Sequence, residues 1–177
     1  QGKDDILIVN ADNDITAAFT GNGDTRYFSY SGKVQSGTYL EGDTIYRAGT
    51  PVLNKKEIVI PGEHNVENYM AAYGAVKDFI KPENAVNVAK NFGGVEHRIE
   101  FCREVNGAKY YNDSKGTNVD AAVTALRALE KNVILIAGGD GKSQDFKPFI
   151  ENFNGSVKHM VLIGRDAKLI AEACDEC

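Results

Sequence analysis

The sequence predicts an α/β fold in which a small antiparallel β portion precedes a parallel α/β domain. Three observations carry this reading. Residues 25–60 break into short β-rich pieces parted by Gly and Asn turns. From residue 99 onward, strand-like and helix-like segments alternate, and several of the strands are almost wholly apolar, the mark of a parallel sheet. The composition, 42% hydrophobic and 25% charged over 177 residues, suffices for a real core in one large domain or two small ones.

Taken in order, "ILIVN" (6–10) is a short apolar run and reads as a buried strand. "NDITAAF" follows as a short helix. The pieces "TRYFSY", "VQSGTYL", "DTIYRAG" and "KKEIVI" then predict a meander of short antiparallel strands. At "PGEHNVENYMAAYGAVKDFI" the period changes. Val66, Tyr69, Met70, Tyr73, Val76 and Ile80 fall at helical spacing behind Pro61 and Gly62. Pro82 opens a second helix, and "GGVEHR" forms a Gly-rich turn that marks a domain boundary near residue 95. Beyond it, "IEFCREV" and "AKYYN" read as strands. "NVDAAVTALRAL" is a helix with Val119, Ala122, Val123, Leu126 and Leu129 on one face. "VILIAGG" and "HMVLIG" are strands, "FKPFIENF" and "DAKLIAEA" helices. In such a sheet ligands bind at the carboxyl ends of strands, where "NDSKGT" and "GGDGKS" lie.

Charge and composition narrow the function. The net charge of -5 argues against nucleic acid as a partner, though not against a nucleotide in a local cationic pocket. Cys102, Cys174 and Cys177 form no disulfide framework, which points to a reducing, cytoplasmic setting. The terminal "CDEC" has C-x-x-C spacing and reads as a frayed helix end. No apolar run approaches the roughly 20 residues of a membrane span, and none reads as a signal peptide. The start at Gln1 and the end just after a helical pattern read as those of a segment from a longer protein.

The usual phosphate loops fail. G-x-x-x-x-G-K-[ST] needs a glycine where Ile136 stands, and G-x-G-x-x-G fails at Gln144 and again at Arg26. The His and Cys positions show no zinc spacing, so no metal site is expected.

Three polar clusters remain, each with a plain structural alternative. Asn65 and Asn68 share one face of a helix start, where Asn65 would serve as a cap. Arg98 sits at the boundary turn, where a surface ion pair is the ordinary fate of an arginine. In "NDSKGTN", Thr117 with Asp120 fits a capping box and Gly116 fits a turn. Neither accounts for Asn112, Asp113, Ser114 and Lys115 together. Lys142, in the second turn, is either a solvated lysine or a ligand group.

The order of the clusters carries a resemblance. "GEHNVENYMAAYGA", "GVEHRIE", "NDSKGTN" and "AGGDGKSQDF" together resemble the Mur ligases, ATP-dependent amide-bond ligases of peptidoglycan precursor synthesis. "NDSKGTN" and "GGDGK" resemble the branch that adds D-glutamate to UDP-N-acetylmuramoyl-L-alanine. The resemblance implies that residues 1–95 are the C-terminal half of a central ATPase domain, and that 96–177 begin a Rossmann-like amino-acid-binding domain. It places the family's UDP-binding domain, phosphate loop and carbamylated lysine ahead of this segment, and a serine-rich motif beyond Cys177. The segment by itself is then inactive.

The resemblance also implies residue roles. Asn65 and Asn68 would meet the nucleotide base, Asp113 its ribose, and Arg98 its phosphates. Lys115 and Arg98 would be catalytic. Lys115, Thr117 and Lys142 would hold D-glutamate, with Lys115 open between nucleotide and amino acid. ATP and Mg²⁺ would be the cofactors, with the main metal ligands outside this chain. The partners would be small molecules, with no nucleic acid or membrane, and the enzyme a cytoplasmic monomer. On the residues alone two other readings stay open: a sister Mur ligase or folylpolyglutamate-synthase-like ligase, and a stand-alone Rossmann-like binding module without chemistry.

Overall fold

The computed structural model describes residues 2–129, 131–141 and 144–175. They form two compact units, residues 1–93 and 94–177.

In the first unit, β1 (Ile6–Asn10), β2 (Asp24–Ser29), β3 (Gly37–Glu41), β4 (Thr44–Arg47) and β5 (Thr50–Asn54) make one sheet in sequence order. The helices are α1 (Asp14–Ala17), α2 (Glu63–Val76) and α3 (Pro82–Asn91). The antiparallel meander expected over 25–60 is confined to β3, β4 and β5; β2 runs parallel to both β1 and β3. A parallel return normally needs a long crossover. Here residues 30–36 suffice, because β2 and β3 overlap by only three residue pairs, Tyr27–Gly37 to Ser29–Tyr39. Gly37 permits the close return: its φ is +131°, and a Cβ there would lie 1.8 Å from the Tyr27 carbonyl oxygen.

The core of this unit lies between the sheet and α2. Ile45 and Met70 are completely buried and pack with Leu40, Leu53, Val66 and Ala89. The Thr38 hydroxyl donates to the Met70 carbonyl at 2.9 Å inside this layer. Arg26, also buried, ties β2 to the far end of α2. It donates to the Gly74 carbonyl at 2.8 Å, pairs with Asp24 at 2.6 Å and bonds Asp78. The helix expected to reach Ile80 therefore ends at Val76, and Phe79 closes a turn onto the Val76 carbonyl.

The second unit contains β6 (Glu100–Val105), β7 (Ala108–Asn112), α4 (Val119–Ala128), β8 (Val133–Gly138), α5 (Lys147–Glu151), β9 (Val157–Ile163) and α6 (Ala167–Asp175). β8 and β9 pair in parallel, as the apolar runs predict. β6 and β7 instead pair with each other as an antiparallel hairpin. The Asn106-Gly107 loop dictates this. Both residues have positive φ, 51° and 80°, the backbone that a two-residue hairpin turn requires.

Val133, Leu135, Ala137 and Val157 turn one face of the β8–β9 pair onto Val123, Leu126 and Phe149. Ile134, Ile136, Val161 and Ile163 occupy the opposite face and are exposed. Both strands thus point their C-terminal ends toward loops that carry polar residues.

Candidate functional site

The polar turn between β7 and α4 is stitched to the turn that precedes β6. The Lys115 N–H donates to the His97 carbonyl at 3.0 Å, and the Ile99 N–H donates to Asp113 Oδ1 at 2.9 Å. Asn112 Oδ1 accepts from the Ser114 N–H at 3.1 Å, while its Nδ2 lies 2.9 Å from His97 Nδ1. The His97 N–H donates to Glu100 Oε2 at 2.8 Å. Asp113 also closes its own turn, its carbonyl accepting from the Gly116 N–H at 2.8 Å. Much of the crowding of polar groups in this turn is therefore local hydrogen bonding between two loops.

What the stitching leaves over is cationic. Arg98 and Lys115 are exposed, and among the described residues neither side chain has an ion pair or a hydrogen bond. Among the described residues Arg98 makes no surface ion pair. Asp113 is half-buried, with one carboxylate oxygen on Ile99.

Thr117 is not the helix cap. α4 begins at Val119, and Asn118 is its N-cap, with Oδ1 accepting from the Ala121 N–H at 2.8 Å. The capping-box reading of Thr117 and Asp120 is one residue out of register, because Asn118 reaches the third helical N–H from the extended backbone a cap needs. The Thr117 hydroxyl stays exposed beside the helix start.

The loop after β8 approaches the same helix start. Gln144 Oε1 accepts from the Val119 N–H at 3.0 Å, and its Nε2 donates to the Gly141 carbonyl at 2.8 Å. From the other side the buried carboxylate of Asp166 accepts from the Gly141 N–H at 2.5 Å. The sequence reading passed over Gln144, Asp166, His97 and Asn118. Lys142 lies outside the described residues.

Asn65 and Asn68 belong to the first unit. Neither caps α2, whose N-cap is Gly62. Asn65 Nδ2 donates to the Pro61 carbonyl at 2.6 Å, and Asn65 Oδ1 accepts from Asn68 Nδ2 at 3.2 Å. Asn65 thus holds Asn68, and the exposed Asn68 keeps its carbonyl oxygen and one amide hydrogen uncommitted. Nearby, burial together with Asp12 and Glu63 pushes the Glu67 carboxyl above its ordinary range.

Arg98, Asp113, Lys115 and Thr117 are therefore brought together by two turns of the second unit, and Asn65 and Asn68 by one helix face of the first. Residues 97–177 match the family model described as "Mur ligase, glutamate ligase domain". Along 97% of its length the chain is also 41% identical to "UDP-N-acetylmuramoylalanine--D-glutamate ligase" of Thermoanaerobacter sp. (strain X514). The chain belongs to the Mur ligase family. A second Mur ligase relative, of the same name and from Clostridium botulinum (strain Alaska E43 / Type E3), is 42% identical over 97% of the chain. The chain spans 39% and 38% of the lengths of these two relatives. The solved structure of UDP-N-acetylmuramate-alanine ligase MurC from Thermotoga maritima matches 97% of the chain, and 41% of its own, with a TM-score of 0.71. At 16% identity that likeness shows a shared α/β fold alone.

Proposed function

We propose that this chain is part of an ATP-dependent Mur ligase that joins D-glutamate to UDP-N-acetylmuramoyl-L-alanine through an acyl phosphate. The observation that carries the reading is the pair of stitched turns. They fix the backbone of Arg98 and Lys115 while leaving both side chains unpaired among the described residues, in a chain over 40% identical to D-glutamate ligases. In this reading residues 1–95 supply the second half of an ATP-binding domain, and 96–177 begin the amino-acid domain. The enzyme works as a cytoplasmic monomer on small molecules. Among the described residues no helix is long and apolar enough to cross a membrane.

The residues present suit a nucleotide. Asn68 has one acceptor and one donor to offer, the complement of an adenine edge. Asp113 has a second carboxylate oxygen available for ribose hydroxyls beyond the one bonded to Ile99. ATP supplies the phosphoryl group that converts the acceptor carboxylate to an acyl phosphate. Arg98 can hold phosphate oxygens in a planar fork, and Lys115 adds a point charge beside it. Cations carried on a backbone held in this way would stabilise charge that grows during phosphoryl transfer. No group of three His, Cys, Asp or Glu side chains suited to a metal ion gathers among the described residues, so Mg²⁺ is assigned no ligand here.

Thr117 and Lys142 take the D-glutamate side. The Thr117 hydroxyl, beside the start of α4, offers a carboxylate a hydrogen bond, and a lysine ammonium would add a favourable charge. Held there, the amino acid presents its amine to the acyl carbon, and its orientation removes the entropy cost of a bimolecular encounter.

The test is phosphate release by the intact protein that carries this chain. Release is expected only with ATP, UDP-N-acetylmuramoyl-L-alanine and D-glutamate together. In a panel with L-alanine, a diamino acid and folate, turnover with one of these and none with D-glutamate overturns the assignment. Lys142→Ala is expected to raise KM for D-glutamate far more than KM for ATP. Equal effects on both would remove Lys142 from the amino-acid side.

A further inference from the structure

The two stitched turns hold a pair of side chains to which no role has been given, Asn112 and His97. The orientation of the Asn112 amide is fixed by its own turn. Oδ1 accepts from the Ser114 N–H at 3.1 Å, so Nδ2 is the atom 2.9 Å from the His97 ring. An amide nitrogen only donates, so His97 accepts at Nδ1. The His97 backbone is committed at both ends, its carbonyl to the Lys115 N–H and its N–H to Glu100.

The segment so held is strained. His97 and Ile99, on either side of Arg98, have φ of 65° and 45°. A β-branched residue in the left-handed region is an outlier, and such conformations persist only where the surroundings over-determine them. Five contacts do so here: Asn112 to His97, Lys115 to His97, His97 to Glu100, Arg98 to Val95, and Ile99 to Asp113. Asn112 makes the one bond in this set that runs between two side chains of different turns.

We propose that Asn112 is a positioning residue, acting through His97 to fix Arg98 and Lys115 relative to each other for a polyphosphate ligand. The inference rests on the nucleotide reading given above. Its physical content is preorganisation. Two flexible cations on independent loops would have to be ordered when the ligand binds, whereas here the backbone beneath both is set beforehand. Losing the Asn112–His97 bond loosens the 95–99 turn, which keeps its backbone hydrogen bonds, while leaving each cation in place chemically.

The experiment is a double-mutant cycle in the intact protein, read as kcat/KM for ATP and KM for D-glutamate, with thermal unfolding followed in parallel. Asn112→Ala and His97→Ala are each expected to lower kcat/KM for ATP by about tenfold to a hundredfold, the scale of a small misplacement at a reacting centre. KM for D-glutamate should move much less. The double variant should be no worse than His97→Ala alone, because both variants remove the Asn112–His97 bond, and His97→Ala also loses the 3.6 Å contact of Nδ1 with Glu100. His97→Asn should keep activity near wild type. Its Oδ1 occupies the place of Nδ1, and asparagine tolerates positive φ.

Additive losses, an Asn112→Ala enzyme with unchanged kcat/KM for ATP, or equal loss for ATP and D-glutamate would each overturn the proposal. A wild-type protein with no D-glutamate-dependent phosphate release at all would instead remove the ligase reading on which it rests.

Discussion

Gln144 caps a helix from another loop. Its Oε1 takes the Val119 N–H at 3.0 Å, and its Nε2 returns to the Gly141 carbonyl at 2.8 Å, so one amide joins the end of β8 to the start of α4. Val119 is the first residue of α4, and its N–H has no partner within the helix. Gln144→Ala is therefore expected to destabilise the second unit by about 1 kcal/mol, the usual cost of losing such a cap. Gln144→Glu keeps the acceptor for the Val119 N–H but sets a carboxylate oxygen against the Gly141 carbonyl, so it should recover only part of the loss. Chemical denaturation of both variants checks this, and equal losses for the two would show that the acceptor is not what matters.

Gly116 is required for space. A Cβ built on it would lie 2.6 Å from Asp113 Oδ2 and 3.1 Å from the Asp113 carbonyl oxygen. Gly116→Ala must displace the Asp113 side chain, which also receives the Ile99 N–H. The expected result is a loss of about 1–2 kcal/mol of stability, from a hydrogen bond broken in a tight turn. In the proposed enzyme KM for ATP should rise as well. An alanine variant of unchanged stability would show that the turn relaxes freely.

How much of this was legible in the sequence depends on whether the deciding interaction is local. The stripe of Val66, Met70 and Tyr73 announced α2 because helical period and burial coincide within one segment. The apolar runs of β8 and β9 were equally plain. The β6–β7 hairpin was also written locally, in Asn106-Gly107, but the surrounding alternation of strand and helix drew attention from it. The parallel run of β2 was not legible. Residue pattern tells which face a strand buries and says little about which way its neighbour points. The same holds at the candidate site. Arg98, Asp113 and Lys115 stood out by type and order, but the bond from Asn112 to His97 spans fifteen residues and left no periodic trace.

Asp12 gives the first unit an acid-sensitive anchor. Burial raises its pKa, but donors from Ser29, Ser31 and the backbone N–H groups of Tyr30 and Ser31 outweigh this and hold the carboxyl below its ordinary range. The Ser29 hydroxyl lies at 2.6 Å and the Tyr30 N–H at 2.6 Å. A carboxylate depressed in the folded state contributes stability above its unfolded pKa of about 3.9, and loses it as pH falls through the lower folded value. Asp12→Asn should therefore be less stable than wild type near neutral pH, and the gap should close below about pH 4. Urea midpoints across that range measure it. A gap independent of pH would mean that shape, and not charge, holds the β1–β2 connection.

The hydroxyl of Tyr69 is buried without a hydrogen-bond partner, the only such side-chain atom among the described residues. Burial first, with a smaller contribution from Tyr73, pushes its pKa up to about 12. The ring itself is well used, stacked 6.1 Å from Tyr73 and packed against the core. A phenol in that position loses its water and gains nothing in return, a penalty of about 1–3 kcal/mol for an unsatisfied polar group. Tyr69→Phe keeps the ring and removes the hydroxyl. It is expected to stabilise the first unit by about 1 kcal/mol, the low end of that range because the variant leaves a small void where the oxygen was. Equilibrium denaturation gives the sign directly. A destabilised phenylalanine variant would mean that the hydroxyl has a partner in solution, and a tyrosine that ionises near its usual pKa of about 10 would mean that the site is open to water.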